Sequence, residues 1–347
     1  MNATLHNLIL GSAIALGLAA PAEAGDYAAA VAEFQATHPD GSRSLAGHVW
    51  YPTHDTGTPL PLRGSAVWKV EAAQTDAVIA PGVFPVVLIS HGMYGNSLNQ
   101  AWLAQALAQD GIISVMPNHP GTTSFDRDPD QARQLWLRAT DLGVSLDAAA
   151  RDPRFGDHMD LTRVAAAGHS LGGYTMLSAA GARHDAAGFA EKCAVAEERP
   201  DCAALAMWRV GQEEADLAPL QSDRSDPRID TFIALDPGGV QTFDTASLAA
   251  IDRPVMVLGS GRQDMLDQDV EARALASALP ADLVTHIEIP DAGHFDFMGE
   301  CQEAGYEILA REVPGDEIVC AQGTAHRAEM HREIYALIQA HLAGVWN

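Results

Sequence analysis

Positive charge is scarce in this chain: its 347 residues include 21 Lys and Arg against 46 Asp and Glu, a formal net charge of −25. Such an excess of negative charge repels nucleic-acid phosphates and anionic membrane surfaces, so the sequence disfavours both as partners. The chain also lacks any run of about eighteen uninterrupted apolar residues, which argues against a membrane-spanning helix. Because 47% of the residues are hydrophobic, the sequence nevertheless predicts a folded chain with a sizeable core.

Cysteine is equally scarce, with only Cys193, Cys202, Cys301 and Cys320 in the chain. These residues form no CxxC pair, and no two histidines spaced i, i+4 accompany them, so the sequence disfavours a zinc site and predicts no metal. The even count and the two close pairs favour two disulfides, Cys193 with Cys202 and Cys301 with Cys320.

The N-terminus has most features of a secretory signal. A short apolar run, LILGSAIALGLAAP, covers residues 8–21, and an Ala-Glu-Ala cleavage site follows at 22–24. The segment before this run contains no Lys or Arg, so only the free amino group supplies its positive charge. We expect a signal peptide over residues 1–24 and export to the periplasm or the exterior.

Further along the chain, apolar strand patterns alternate with helical patterns, without internal repeats. This alternation predicts an α/β fold with a mostly parallel central sheet, helices on both faces and a single domain over residues 25–347. Residues 184–228 form a long segment that interrupts this alternation. We expect this segment to be a small cap-like insertion over the functional site; the alternative is a peripheral insertion away from it. The predicted strands are 44–52, 84–92, 112–118, 164–170, 231–238, 254–261 and 284–294, and the predicted helices are 98–111, 134–150, 171–182 and 325–343.

The motif GHSLGG places Ser170 between a predicted strand and a predicted helix. A GxSxG sequence in that position is typical of a nucleophile elbow, a sharp turn that exposes the serine hydroxyl above the sheet. Gly168 and Gly172 leave room for backbone that a larger residue would crowd. The chain has no GxxxxGK[ST] phosphate loop, and this turn has no GxGxxG, so the motif predicts a catalytic serine.

A serine nucleophile needs a base that accepts its proton, usually a histidine on a loop after the last strand. His294 in PDAGHFDF occupies such a position, 124 residues after Ser170. His286 lies inside the strand pattern, and the later histidines lie in the last predicted helix. We interpret His169, the neighbour of the serine, as a packing residue of the elbow.

Two further roles complete this type of site. Backbone amides must stabilise the oxyanion, and the candidates are Leu171, which follows the serine, and Met93 in SHGMYGN. An acidic residue must orient the base, and here two aspartates qualify by chain order: Asp236 in FIALDPGG and Asp264 in GSGRQD. The residue pattern alone leaves this choice open.

The stretches LISHGMYGN, GHSLGGY, FIALDPGG and AGHFDF together resemble the platelet-activating factor acetylhydrolase branch of the α/β-hydrolases, including bacterial proteins labelled predicted dienelactone hydrolases. The likeness runs from about residue 43 to 300, and PVMVLGSG after IALDP is also similar to plant chlorophyllases. The acetylhydrolases and chlorophyllases imply Asp236 as the acid, whereas dienelactone hydrolases and most other α/β-hydrolases imply Asp264. We prefer Asp236. Dienelactone hydrolases carry a cysteine nucleophile where this chain has Ser170.

The sequence therefore predicts an α/β-hydrolase fold and a serine esterase for small-molecule esters, with short acyl or aromatic groups, and no cofactor. Tyr94, Tyr174, Phe295 and Phe297 are candidates to line the substrate pocket, with ordinary core packing as the alternative. A lipase, polyesterase or acyltransferase with the same triad, or a non-catalytic binding protein on this fold, are the other interpretations. The oligomeric state is not predicted.

Overall fold

The computed structural model describes residues 27–58, 60–61, 65–69, 71–196 and 198–346. The expected signal peptide at 1–24 lies outside the described residues. The strands are β1 (Ala28–Thr37), β2 (Ser44–Thr53), β3 (Leu60–Pro61), β4 (Ala72–Thr75), β5 (Phe84–Ser90), β6 (Ile113–Asn118), β7 (Met159–His169), β8 (Thr231–Leu235), β9 (Val255–Ser260) and β10 (Val284–Ile289). The α-helices are α1 (Ala101–Gln109), α2 (Pro129–Ala132), α3 (Trp136–Arg151), α4 (Leu171–Ala180), α5 (Ala186–Cys193), α6 (Pro200–Met207), α7 (Glu214–Gln221), α8 (Thr245–Ala249), α9 (Ala272–Ala278), α10 (Gly305–Glu312) and α11 (Thr324–Trp346). Short 3-10 helices cover Gly156–His158, Val240–Thr242, His294–Phe297 and Asp316–Cys320.

The described strands form a sheet in the order β10-β9-β8-β7-β5-β6-β2-β1-β4-β3. From β10 to β6 every neighbouring pair is parallel, whereas β2 joins β6 and β1 joins β2 in antiparallel fashion. The predicted α/β fold with a mostly parallel sheet is thereby confirmed. Because parallel strands end at one edge, the loops after β5, β7, β8 and β9 meet there.

Helices cover both faces of this sheet. Along β5 successive side chains alternate between two cores, with Val86 and Leu88 in one and Val87 and Ile89 in the other, as the two-residue period of a strand requires. The first core receives Leu142 and Leu146 from α3, Leu177 from α4 and Leu275 from α9. The second core receives Leu103 and Leu107 from α1 and Ile334 and Ile338 from α11.

Both predicted disulfides are confirmed, since Cys193 is bonded to Cys202 and Cys301 to Cys320. The first lies in the 184–228 segment, which folds into α5, α6 and α7. The second joins Cys301, in the loop after the 3-10 helix at 294–297, to Cys320, the last residue of the 3-10 helix that precedes α11. Two disulfides fit an oxidising compartment. Among the described residues, no helix is both long and apolar enough to cross a membrane.

Candidate active site

Ser170 occupies a strained turn between β7 and α4. Its backbone angles, φ 56° and ψ −118°, are rare for a residue with a side chain, and such strain persists only where surrounding structure enforces it. The Ser170 N–H donates to the Leu235 carbonyl over 3.1 Å, and the Ser170 carbonyl accepts from the amides of Gly173 and Gly238 over 2.8 and 3.1 Å. Bonds to the end of β8 and the loop that follows therefore hold the turn.

The glycines around the serine are required by close backbone contacts. A Cβ on Gly168 would lie 2.0 Å from the Gly172 carbonyl oxygen, and one on Gly172 would lie 2.0 Å from the Ser90 carbonyl oxygen. Real Cβ atoms do not approach so closely, so neither position tolerates a side chain. The end of β5 and the elbow thus pack backbone against backbone.

Asp236 directly contacts the imidazole of His294. Its Oδ2 lies 2.6 Å from His294 Nδ1, and both side chains are buried. The remaining contacts of this carboxylate come from the Ser260 amide at 2.8 Å, the Ser260 hydroxyl at 3.1 Å and Gln268 Nε2 at 2.9 Å. Burial opposes ionisation, but the hydrogen bonds from His294 and Ser260 hold the pKa of Asp236 below its ordinary value. The carboxylate is thus fixed against the ring.

Asp264, the other candidate acid, contacts the backbone of His294. The His294 N–H donates to Asp264 Oδ1 over 2.9 Å. A Cβ on Gly293 would lie 2.2 Å from Asp264 Oδ2, so this carboxylate packs closely against the peptide before the histidine. Asp264 therefore orients the loop that carries His294, while Asp236 contacts its ring.

His169 contacts the loop that carries His294. Its Nε2–H donates to the His294 carbonyl over 2.9 Å, and the two rings lie 4.7 Å apart. Burial, with the neighbouring His294, lowers the pKa of His169 to about 3, so this imidazole is neutral in the folded protein at neutral pH.

This buried, neutral histidine makes the fold acid-sensitive. Because its pKa is lower in the folded than in the unfolded chain, its contribution to stability is complete above about pH 6.5 and is lost as the pH falls towards 3. Between pH 7 and 5 we expect His169 to account for about 2 kcal/mol of the fall in the free energy of unfolding. His169→Gln, whose amide can still donate to the His294 carbonyl, should reduce the fall by that amount in urea unfolding at both pH values. Equal pH dependence in variant and wild type would refute this assignment.

The two predicted oxyanion amides lie on elements that touch. Leu171 is the first residue of α4, so its N–H has no intrahelical acceptor. Among the described residues the Met93 amide likewise has no acceptor. A Cβ on Gly92 would lie 3.1 Å from Ser170 Cβ, which places the loop of Met93 directly beside the elbow.

The aromatic residues predicted to line a pocket separate into two groups. Tyr94 is half-buried, with its hydroxyl accepting from Trp208 Nε1 over 3.0 Å, so the 184–228 segment contacts the residue next to Met93. Phe295 is half-buried beside the His294 ring. Tyr174, by contrast, is only 2% exposed and stacks on Phe243, and Phe297 is fully buried, so these two belong to the core.

A cavity of about 230 Å³ lies next to these loops. One wall comes from Asn96 and Asn99, after the Met93 loop, together with Met298, after the His294 loop. Trp68 and Glu71 contribute to the lining. In the described part of the chain, no three His, Cys, Asp or Glu residues are grouped to hold a metal ion.

Sequence reasoning did not identify Ser260 and Gln268, which contact Asp236, or the buried Arg138 beneath the Met93 loop. Ser260 lies next to the end of the predicted strand 254–261, so its position at the sheet edge was available as a signal. Gln268 lies in a polar loop, RQDMLDQD, that offers none. Arg138 lies on the buried side of a predicted helix, where a charged residue is unexpected.

The comparisons with known proteins agree with this architecture. The family model described as the alpha/beta hydrolase fold matches residues 85–193, which include all of β5 but its first residue, the elbow and α4. No curated protein matches the chain. A solved structure of a ferulic acid esterase from Streptomyces cinnamoneus is similar with a TM-score of 0.60 and 20% identity, over 94% of this chain and 93% of that one. By its strand order, its elbow and these matches, the chain has the α/β-hydrolase fold.

Proposed function

We propose that the protein is a serine esterase that cleaves carboxylic esters through an acyl-enzyme on Ser170. The observation that carries this proposal is the strained serine turn at the sheet edge where the His294 ring is bonded to a buried carboxylate. A serine in such a turn, followed along the chain by an acid and a histidine on later loops, is typical of acyl transfer in this fold.

In the proposed reaction, Ser170 Oγ attacks the ester carbonyl carbon while His294 Nε2 takes the hydroxyl proton. Asp236 holds Nδ1–H and stabilises the imidazolium cation, and the amides of Met93 and Leu171 donate to the oxyanion. The tetrahedral intermediate then expels the alcohol, which receives its proton from His294. Water attacks the acyl-enzyme by the same steps, with His294 as base and then acid, and releases the carboxylic acid.

Asp236 is the preferred acid of the triad because its carboxylate contacts the ring, whereas Asp264 contacts only the backbone. The proton on His294 Nδ1 is then held by a carboxylate that itself accepts three further hydrogen bonds. Such a carboxylate fixes the tautomer in which Nε2 is free to accept the serine proton.

For the substrate we propose a small ester with a short acyl or aromatic group. The similar structure of a ferulic acid esterase supports an aromatic acid, and half-buried Tyr94 and Phe295 offer aromatic faces beside Met93 and His294. We also propose that 184–228 caps the site, because Trp208 reaches Tyr94. Export, with removal of residues 1–24, is proposed from the sequence and is consistent with the disulfides.

Chain-length dependence tests this substrate class. For p-nitrophenyl esters from acetate to palmitate, we expect kcat/KM to fall by at least about tenfold from the short to the long acyl chains, because a site covered by the proposed 184–228 cap would reject extra methylene groups. Methyl ferulate should also be hydrolysed. A fluorophosphonate probe should label the tryptic peptide that contains Ser170. Palmitate cleaved as fast as acetate would favour the lipase alternative, and acyl transfer to added alcohols in preference to water would favour an acyltransferase.

A further inference from the structure

The guanidinium of Arg138, on α3, lies beneath the proposed oxyanion hole. Arg138 is 1% exposed. Its Nε donates to Thr175 Oγ1 over 2.8 Å, and one terminal nitrogen donates to the His91 carbonyl over 2.5 Å and to Ser90 Oγ over 3.3 Å. The other terminal nitrogen donates to Thr122 Oγ1. One rigid group therefore bonds to the end of β5 and to α4.

The bond from Arg138 to the His91 carbonyl holds the start of the loop that carries Met93. In a trans peptide the N–H points opposite to the C=O of the same peptide plane. Arg138 holds the His91 carbonyl, while the Gly92 carbonyl accepts from His91 Nδ1 over 2.7 Å and from the Gly95 amide over 3.2 Å. The Met93 N–H shares its peptide plane with the Gly92 carbonyl, so it points away from the His91 ring and the Gly95 amide that hold that carbonyl. Arg138 holds the preceding peptide plane, which contains the His91 carbonyl.

The ring of His91 has one possible arrangement in this network. The backbone N–H of His119 donates to His91 Nε2 over 3.0 Å, so Nε2 must carry a lone pair. The proton therefore lies on Nδ1, which donates to Gly92. Burial, together with Arg138 and His119, holds the pKa of His91 well below its ordinary value, so the tautomer persists at neutral pH.

The bond from Arg138 to Thr175 reaches the helix that carries the other proposed donor. Thr175 Oγ1 accepts from Arg138 and donates its own proton to the Leu171 carbonyl over 3.1 Å. Leu171 begins α4, and its amide is the second donor of the proposed oxyanion hole. Arg138 thus bonds directly to the His91 carbonyl before the Met93 loop and, through the Thr175 hydroxyl, to the Leu171 carbonyl at the start of α4.

A neighbouring carboxylate offsets part of the buried charge of Arg138 without forming a hydrogen bond to its guanidinium. Asp141, three residues further along α3 and fully buried, bonds to Arg43, His38 and His119. Its charge favours the protonated form of Arg138, whose pKa burial lowers. Since Asp141 is bonded to other partners, the N–H groups of Arg138 remain available for the hydroxyl and carbonyl oxygens beneath the site.

We propose that Arg138 is a positioning residue that sets the spacing between the two backbone segments that carry the Met93 and Leu171 amides. This proposal rests on the proposed serine esterase function. Arg138 does not touch the substrate; it holds the two backbone elements whose donors meet the oxyanion. A lysine cannot replace it, because only the planar guanidinium has donors in a fixed fork that reach both elements.

Two threonine variants form a matched test. Thr175 and Thr122 each accept from Arg138, and each donates to a backbone carbonyl, that of Leu171 and that of His119 respectively. Thr175→Val and Thr122→Val therefore remove comparable hydrogen bonds and should lose similar stability, but only Thr175 leads to an oxyanion donor. We expect Thr175→Val to lower kcat about tenfold with KM within about twofold, and Thr122→Val to retain wild-type kcat.

Arg138→Met and Arg138→Lys should lower kcat by on the order of 10²-fold, again with KM nearly unchanged, as for the loss of an oxyanion donor. Affinity for an aryl trifluoromethyl ketone, which forms an oxyanion on Ser170, should fall in parallel with kcat/KM. The threonine variants keep every charge. They therefore test the positioning role of Arg138 even if the arginine variants do not fold. Equal kcat for Thr175→Val and Thr122→Val, or a change confined to KM, would overturn the role of Arg138. A wild type without esterase activity would instead overturn the proposed function, and this inference with it.

Discussion

Replacing Ser170 with alanine should reduce ester hydrolysis by on the order of 10⁶-fold, the effect of removing the nucleophile in a serine hydrolase. The change deletes one oxygen and keeps the turn, because the bonds that hold the turn come from backbone groups of Leu235, Gly173 and Gly238. Initial rates on p-nitrophenyl butyrate, with the melting temperature of each protein, measure the effect.

Ser145→Ala is the control for this comparison. Ser145 is fully buried on α3, and among the described residues its hydroxyl has no hydrogen-bond partner, so its loss should leave activity and folding unchanged. Substantial hydrolysis by a folded Ser170→Ala protein would require a different nucleophile and would refute the acyl-enzyme mechanism. Activity lost equally in both variants would point to damage in folding.

The two aspartates should respond very differently to replacement by asparagine. Asp236→Asn removes the charge that stabilises the imidazolium and presents an amide N–H to His294 Nδ1, so we expect turnover to fall on the order of 10⁴-fold. Asp264→Asn should lose no more than about tenfold, since an asparagine oxygen can still accept the His294 N–H. Parallel measurements of kcat and KM on one ester separate the two roles.

Two other results would contradict the assignment of Asp236 as the triad acid. A large loss in Asp264→Asn with a small one in Asp236→Asn would exchange the assignments and imply that the loops rearrange when substrate binds. Mild and equal losses would remove both residues from the triad. Gln268→Ala provides a graded comparison, because it removes one of the hydrogen bonds to the Asp236 carboxylate but leaves its charge.

The elbow could be predicted from sequence because strand, turn and helix are contiguous around Ser170. The choice between Asp236 and Asp264 could not, since both follow strands that end at the same edge of the sheet. Only the path of the two loops decides which carboxylate meets the ring and which meets the backbone. That path depends on contacts between distant segments.

Strand β1 was missed for a different reason. Its sequence, AAAVAEFQAT, is rich in alanine, which has little intrinsic preference for strands. Pairing with β2 over all ten residues, from Ala28 with Thr53 to Thr37 with Ser44, stabilises it. Local propensity does not contain that information.

The role of Arg138 could not be predicted from the helical pattern around it. In the helical pattern of 134–150, Arg138 lies on the same face as buried leucines. A pattern of apolar residues does not indicate what a charged residue on that face would bind. Its hydroxyl and carbonyl partners come from β5, α4 and the loop after β6, which are dispersed through more than eighty residues of the chain. A network of this kind becomes visible only when the chain is folded.

The backbone contact between β5 and the elbow has a consequence for engineering. Because Gly172 packs directly on the Ser90 carbonyl, the separation between those two segments cannot be tuned by exchanging side chains at either position. Mutant libraries that aim to change substrate preference should therefore leave residues 90–92 and 168–172 constant. Diversity belongs at the half-buried Tyr94 and Phe295, which contribute side chains rather than main chain beside the proposed site, and where we expect new selectivity to arise with the backbone of the elbow unchanged.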